Sequence, residues 1–569
     1  YFYFHDIIIL EVINMPQWWK EEIVYQIYPK SFQDSNHDGI GDIQGIIQKL
    51  DYLKDLGVTM LWICPIYCSP MDDNGYDIAD YYQIHPDFGS MEDVDELIVK
   101  AKERDIKIIM DLVINHTSDE HAWFQEALKN PDSPYRQYYI FKEGQDNQPP
   151  TNWRSVFSGS VWEKVPHEDN MYYFHSFSKK QPDLNWENPQ MREDIYRMIN
   201  WWLDKGIAGF RVDAINFIKK DQSWQNGPVD GADGLSSCFE FTRNQPGIEV
   251  FFKELREKTF DIHHCMTVAE AVGVPYDQLG IFIGQDGCFS MMFDFNYSHI
   301  DITEHEEWFP LQNWTMQEYK EKLFLSQKEI FKTGWCGTFL ENHDMQRSLN
   351  RLIRNPQERT PKAAKALGQM FMFLKGTPFI YQGEEIGAIN NHRLSIHDFD
   401  DLNSHAQYRR ALQEGYSEEE ALDFVNRRSR DNTRSPMSWN SQLYAGFSDV
   451  QPWLTNNEYY QDINVAKQAN DPDSVLSYYK QMIVLRQNSL YHQTLVYGDF
   501  IPLESEEYVI AYMRQDDQQT ILCIQNLQNK ETHFPLSSKV QVLLSNDQVN
   551  IQNQQLKLSP YQATILLIE

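Results

Sequence analysis

The sequence predicts an α/β chain: a (β/α)8 TIM barrel with an excursion domain after strand 3 and a C-terminal antiparallel β domain. Three observations lead there. Eight short β-rich runs alternate with amphipathic helical patterns between residues 23 and 390. After the third run the alternation breaks into a loop-like stretch, rich in Pro, Asn, Ser and aromatics, that is too long for an ordinary connection. From about Gln493 the pattern changes to short strands without intervening helices.

The eight runs are Ile23–Tyr28, Thr59–Ile63, Ile106–Val113, Gly209–Val212, Met266–Ala269, Ser290–Phe293, Thr338–Leu340 and Phe379–Tyr381. The helices between them have legible ends. Asn188 and Pro189 read as an N-cap and first-turn proline. Ile195, Met198, Ile199, Trp202 and Leu203 follow at helical spacing, and Gly206 closes the helix. Ser417 with Glu420 forms a capping box before another helix. Repeated strand–helix units force a parallel sheet, and eight of them close a barrel. The expected segmentation is a barrel from 15–116 and 188–492, an excursion domain over 117–187, and a C-terminal β-sandwich over 493–569. The last is built on Tyr508–Met513, Thr520–Ile524, Val540–Leu544 and Ala563–Ile568.

Across 569 residues, 50 Lys+Arg against 83 Asp+Glu give a net charge of −33, which argues against nucleic acid or an anionic membrane as partner. A hydrophobic content of 41% with 15 Trp, 31 Tyr and 32 Phe excludes a disordered chain. Seven scattered cysteines complete no zinc pattern: Cys64 and Cys68 lack a second pair, and the usage fits a reducing compartment. No apolar run approaches the roughly 20 residues of a membrane span. The first 14 residues, YFYFHDIIILEVIN, carry Asp6 and Glu11 but no basic leader and no cleavage site, so they read as an upstream extension before Met15 rather than a signal peptide. The expectation is a cytoplasmic protein, a monomer or weak homo-oligomer.

In such a barrel the C-terminal strand ends converge on one face. Here they supply Asp111 to His116, Arg211-Val-Asp213-Ala214, Glu270 and Asn342-His343-Asp344. So many ionisable groups on one mouth would be costly as packing, and point to catalysis by carboxylates. Paired carboxyls suit acetal cleavage, where one protonates the leaving oxygen and the other meets the cationic anomeric carbon. Separately, Asp34, Asn36, Asp38, Ile40 and Asp42 place oxygen donors at positions 1, 3, 5, 7 and 9 of a loop with Gly39 at position 6, the calcium-loop pattern. Position 12 is Gly45 rather than a bidentate glutamate, so this is not a complete EF-hand. Gly39, Gly41 and Gly45 are wrongly spaced for a dinucleotide fingerprint and lie among acids.

The blocks DLVINH (111–116), QPDLNW (181–186), GFRVDAI (209–215), TVAEAVG (267–273), ENHD (341–344) and GTPFIYQGEE (376–385) resemble, in order, those of the α-amylase superfamily, glycoside hydrolase family 13. IVYQIYPKSFQDSNHDGIGD, DDNGYDIADY and SRDNTRSPMSW resemble its oligo-1,6-glucosidase and α-glucosidase branch. The resemblance implies a retaining α-glucosidase acting on small oligosaccharides, with Asp213 as nucleophile, Glu270 as acid and base, and Asp344 binding sugar hydroxyls. Arg211, on the same strand face as Asp213, is expected to lower its pKa, and Glu270, between Ala269 and Ala271, to keep a raised one. The resemblance further implies that His116 and His343 bond the glucose and that Asp73 and Arg430 grip its outer hydroxyls, giving exo action. Tyr76 would stack on the sugar, and Phe157 and Phe177 would wall the pocket. It also implies a structural Ca2+, with Mg2+ as the substitute, on the Asp34–Asp42 loop, where Ile40 donates its carbonyl; no organic cofactor is expected.

Departures from the pattern bear on specificity. Ala214 stands where α-1,6-specific relatives commonly have valine, and Glu341, Met345 and Gln346 depart at positions expected to flank the leaving group. The alternatives are a trehalose-6-phosphate hydrolase, for which no basic phosphate site is legible, and a sucrose-isomerising transferase, whose Arg-Asp-rich loop is missing. A third, from another class, is a non-catalytic glycosidase-like binding protein.

Overall fold

The computed structural model describes residues 17–455 and 458–569. The expected extension over 1–14, and Met15, lie outside the described residues. The eight barrel strands are β1 (Val24–Ile27), β2 (Met60–Ile63), β3 (Lys107–Val113), β4 (Gly209–Asp213), β5 (Met266–Ala269), β6 (Met291–Phe293), β7 (Cys336–Phe339) and β8 (Thr377–Tyr381). They close in the order β1-β8-β7-β6-β5-β4-β3-β2, so every strand lies beside its neighbours in sequence. All eight pairings are parallel.

Nearly every strand residue is buried, as expected where one face meets helices and the other the barrel axis. Val24, Met60, Trp62, Ile109, Val268, Phe293 and Phe379 fill the interior. The alternate residues Tyr25, Ile27, Leu61, Ile63, Met110 and Leu112 pack outward in the larger core. At the start of β4 a side chain has no room: a Cβ on Gly209 would lie 1.8 Å from the Met266 carbonyl oxygen on β5.

The helix Pro189–Lys205 precedes β4. Asn188 caps it by accepting from the N–H groups of Gln190 and Met191, Pro189 opens it, and Gly206 ends it in the left-handed region at φ 111°. Its apolar face, including Ile195, Ile199 and Trp202, is buried. The Ser417–Glu420 capping box is formed at the head of Glu418–Arg428.

The stretch after β3 holds the helix Ala122–Lys129 and a small antiparallel sheet of Phe141–Glu143, Met171–Phe174 and Trp162–Lys164. It is stitched to the segment after β4. Trp153–Arg154 pairs with Ser236–Ser237, Arg154 bridges Asp230 and Asp233, and Trp224, Cys238 and Phe241 share its aromatic core. The roof over the barrel mouth is therefore built from two sequence-distant loops.

At the C-terminus, Asp499–Pro502, Val509–Gln515, Thr520–Asn526, Ala563–Ile568 and Val540–Ser545 form a five-stranded antiparallel sheet in that spatial order. It faces a second sheet of Thr532–Pro535, Gln555–Leu558 and Asn550–Gln552 across a core containing Leu522, Phe534, Leu556 and Leu566. Arg514, fully buried, ties this unit to the barrel by donating to the carbonyls of Phe373, Leu495, Val496 and Gly498.

Candidate active site

Arg211, projecting inward from β4, organises the mouth of the barrel. Its Nη1 lies 2.6 Å from Asp111 Oδ1 and 2.5 Å from Asp213 Oδ1, and its Nη2 lies 2.8 Å from Glu270 Oε1. Three carboxylates from three neighbouring strands thus share one guanidinium. Asp213 ends β4, and Ala214 then turns left-handed (φ 41°), which aims its N–H at Glu270 Oε2, 2.9 Å away. Trp62 Nε1 donates to Asp111 Oδ2 at 2.7 Å and so fixes the carboxylate behind the other two.

One cation for three buried acids is too little. Burial pushes Asp213 up to about 7 from an ordinary 3.8, and the pull of Arg211 only partly offsets it. Arg211 does pull the Asp213 pKa down as expected, but its guanidinium is divided among three carboxyls and burial outweighs it, so the expected net lowering is corrected to a rise. Burial likewise raises Glu270 to about 7 and Asp111 to about 6, again against Arg211. The raised value of Glu270 arises beside a guanidinium and an amide, not in the apolar setting that its alanine neighbours promised.

Asp213 and Glu270 are thus both pushed toward protonation near neutrality while sharing one guanidinium. If catalysis needs Asp213 ionised and Glu270 protonated, kcat/KM falls on both sides of an optimum, with the alkaline limb near pH 7. A pH–rate profile checks this, and Glu270→Gln, assayed on a substrate with an activated leaving group, should lack the alkaline limb.

Asp344 follows β7 and behaves oppositely. Burial pushes its pKa up, but His343, Arg430 and Arg434 together hold it well below the usual carboxylate range. Its Oδ1 lies 2.9 Å from Arg434 Nη2 and 3.3 Å from Arg430 Nη1, and His343 Nε2 approaches Oδ2 at 3.0 Å. Gln26 Nε2 donates to His343 Nδ1 at 2.7 Å, leaving the proton on Nε2. Burial lowers the His343 pKa to about 4, so the ring is neutral.

A cavity of about 160 Å³ opens above these groups. Asp213, Ala214, Glu270 and Asp344 line its floor. Among its lining residues Asp73 Oδ1 pairs with Arg430 Nη2 at 2.9 Å, and Arg430 is braced by Asp401 at 2.6 Å. Tyr76 and His116 also line it. His116 is buried, donates from Nε2 to the Tyr76 carbonyl at 3.1 Å, and has a pKa lowered to about 4 by that burial. Phe157 and Phe177, ring centroids 5.8 Å apart, stand in the wall, with the Arg430 guanidinium 5.2 Å from the Phe157 ring. Arg211 and His343 sit one layer behind, holding carboxylates that face the cavity; Tyr76 stacks on His343 at 5.3 Å. A larger cavity of about 830 Å³, lined by Trp18, Thr267, Ser290 and Trp335, lies at the opposite end among the strand starts and contains none of these groups.

Two expected flanking positions separate. Met345 lines the cavity, but Glu341 is turned away and buried, its Oε1 2.8 Å from Arg347 Nη1 and its Oε2 accepting from the Ser348 N–H. Gln346 is held by Asp301 and Arg428. Residues assigned no role from sequence also serve the site. Gln181 Nε2 donates to Asp73 at 3.1 Å, and Asp401 and Arg434 hold Arg430 and Asp344. Arg434 was legible as the residue one helical turn beyond Arg430; Asp401 carried no signal.

The loop Asp34–Asp42 is wound by its own side chains. Asp34 Oδ2 accepts from Gly39 N, Asn36 Oδ1 from Asp38 N, Asp38 Oδ1 from Ile40 N, and Asp42 Oδ1 from Gly45 N. Gly39 has φ 90°, as the sharp turn at the sixth calcium-loop position requires, and a Cβ there would meet Gln451 O at 2.4 Å. The all-oxygen donor set suits a hard cation. Among the described residues, no three His, Cys, Asp or Glu side chains converge as a ready metal cage, so an ion here would also draw on the Asn36 amide, the Ile40 carbonyl and water.

Residues 26–498 match the alpha-amylase catalytic domain and residues 509–565 the alpha-amylase SusG C-terminal domain. The chain is 41% identical to an oligo-1,6-glucosidase of Bacillus cereus, over 97% of this chain and 100% of that one. It is 43% identical to a probable oligo-1,6-glucosidase 3 of Bacillus subtilis, over 97% and 99%. The isomaltulose synthase of Klebsiella sp. LX3 superposes with a TM-score of 0.92 at 37% identity, covering 98% of this chain and all of that structure. A barrel whose mouth gathers Asp213, Glu270 and Asp344, in a chain matched almost end to end by these proteins, belongs to the α-amylase family and is a glycoside hydrolase.

Proposed function

We propose that this glycoside hydrolase is an exo-acting, retaining α-glucosidase that releases glucose from the non-reducing end of short isomalto- and malto-oligosaccharides and of sucrose. The observation that carries it is the sharing of Arg211 by Asp213 and Glu270, at 2.5 and 2.8 Å. Two carboxyls on one guanidinium support the close spacing of direct displacement, about 5–5.5 Å, rather than the wider gap that seats a water in inverting enzymes. Asp213 attacks the anomeric carbon while Glu270 protonates the leaving oxygen. Glu270 then takes a proton from water as the Asp213 ester is cleaved. Asp344, ionised and oriented by His343, Arg430 and Arg434, binds ring hydroxyls. The Asp73–Arg430 pair in the cavity lining bars a chain from threading through, so a chain end enters and an internal segment does not.

A phosphorylated substrate is disfavoured. Arg243, Arg428 and Arg430, the cations lining the cavity, pair with Glu306 at 2.8 Å, Asp301 at 2.9 Å and Asp73 at 2.9 Å. Each guanidinium is already neutralised, which favours a neutral leaving sugar over one bearing phosphate. Ala214 lacks the branched methyls of valine, and its Cβ faces the cavity floor beside Glu270, which supports turnover of both α-1,6 and α-1,4 bonds. Initial rates on isomaltose, maltose, sucrose and trehalose 6-phosphate test the reading. Isomaltose and maltose should both be cleaved, and a kcat/KM highest on trehalose 6-phosphate would contradict it.

We assign a structural calcium, replaceable by magnesium, to the Asp34–Asp42 loop, where Asn36 and Asp38 lie exposed between the capping carboxylates. The ligand chemistry and the glycine at the sixth position support it. A saturating cation, near a hundred times its Kd, adds about 2.7 kcal/mol of stability. Calcium should therefore raise the melting temperature and a chelator lower it, and Asp38→Ala should remove the response; an unresponsive wild type would contradict the assignment. The seven cysteines, none in a disulfide, support a cytoplasmic location. No helix among the described residues is long and apolar enough to cross a membrane.

A further inference from the structure

Gln26 is a polar residue in an apolar position. On β1 it has the parity of Val24 and Tyr28, which belong to the barrel interior, and it is only 1% exposed. Pairing with Trp62 of β2 and Tyr381 of β8 holds its backbone. Its Nε2 lies 3.2 Å from Cys64 Sγ and 2.7 Å from His343 Nδ1, so each N–H of the amide has a partner. An amide buried among apolar side chains is costly unless it is bonded in this way.

What His343 requires of that amide follows from the other side of the ring. Its Nε2 meets Asp344 Oδ2 at 3.0 Å and the Tyr76 hydroxyl at 2.6 Å. The ionised Asp344 has no proton to offer, and the Tyr76 hydroxyl donates to Asp111 Oδ2 at 3.3 Å. Both partners are therefore acceptors, so Nε2 carries the hydrogen, and a neutral ring then leaves Nδ1 bare and in want of a donor. Gln26 supplies one that does not titrate. Tyr76 and Tyr28, stacked on the ring at 5.3 and 6.2 Å, restrict its rotation. The charged and titratable groups around the ring and its amide partner are Asp344, Arg211, Arg434, Tyr28, Tyr76 and Cys64.

We propose that Gln26 is a positioning residue for the reaction: by donating to His343 Nδ1 it keeps the ring hydrogen on Nε2, and so keeps the Asp344 carboxylate oriented toward the hydroxyls of the bound glucose. This rests on the α-glucosidase reading, in which Asp344 has that task. Gln26 acts through His343 and not by touching the sugar.

The test measures kcat/KM on p-nitrophenyl α-glucoside. Gln26→Met, which cannot donate, should lower it about tenfold, more through kcat than through KM. Gln26→Glu should recover most of that loss at pH 5. A glutamate and an imidazole that hold two protons between them keep one in the bond to Nδ1 and the other on Nε2, as the amide does. As pH rises one of the two leaves, the carboxylate draws the remaining proton to Nδ1, and Nε2 is left bare against Asp344. The advantage over Gln26→Met should therefore shrink toward alkaline pH. In a His343→Phe background, Gln26→Met should cost less than about twofold. Gln26→Glu no more active than Gln26→Met at pH 5, or the full loss persisting in the His343→Phe background, would mean that Gln26 only fills the barrel and would overturn the assignment. An unchanged kcat/KM in Gln26→Met would do the same. A wild type inactive on every α-glucoside would instead overturn the α-glucosidase reading, and this assignment with it.

Discussion

Asp213→Asn should reduce turnover by at least about 10⁴-fold on every substrate while the protein still folds. The amide keeps the shape and one hydrogen-bond acceptor for Arg211, but it does not form the glycosyl ester. Glu270→Gln should behave differently. It removes the proton donor, so the loss is large on disaccharides, whose alkoxide leaving group needs protonation. It is far smaller in the first step on aryl glucosides with acidic phenols. The contrast separates the two roles: a uniform loss in both variants would place Glu270 outside the proton transfer. Near-normal turnover in either would remove that residue from the reaction.

Arg211→Met should have the largest effect on stability. The side chain is 1% exposed and is the shared cation of Asp111, Asp213 and Glu270. Its removal leaves buried carboxylates uncompensated, a change that typically costs about 3–5 kcal/mol. The defect should also depend on pH. These carboxyls already titrate near 7, 7 and 6 in the folded protein, against ordinary values of 3.8 for Asp and 4.5 for Glu. Between the two sets of values the folded state holds protons that the unfolded chain has released, so stability from these groups falls as pH rises through that window. Without the guanidinium the folded values rise further. The variant should therefore be most impaired at pH 7–8 and partly recover toward pH 5, as urea-unfolding midpoints would show. A defect independent of pH would mean that Arg211 serves as packing rather than as a counter-charge.

The barrel was legible because its signal is local. Parallel strands buried on both faces read as apolar runs, and β5 (Met266–Ala269) begins and ends where the sequence predicts. The Asn188 cap and Gly206 stop were equally plain. Asn550–Gln552 escaped notice because all its residues are exposed and it has no alternation to read. The site was legible only in its strand-end residues. Its electrostatics were not, since they depend on closures between distant segments: Arg430 and Asp73 meet across 357 positions, and Arg211 and Asp111 across 100. One arginine two residues from one aspartate predicts a lowered pKa, whereas one arginine among three buried carboxylates gives a raised one. Glu341 shows the same limit, because its neighbour in sequence, Asn342, faces the cavity while it turns back to Arg347. The join of Trp153–Arg154 with Ser236–Ser237 is likewise a property of the fold and not of either segment.

The central claim is that Asp213 attacks the anomeric carbon directly and water later displaces it, two inversions that together preserve configuration. Proton NMR of the sugar released in the first moments of isomaltose or maltose hydrolysis, before mutarotation, tests it most directly. The account predicts α-glucose as the initial product. Initial β-glucose would show a single displacement by water and contradict it.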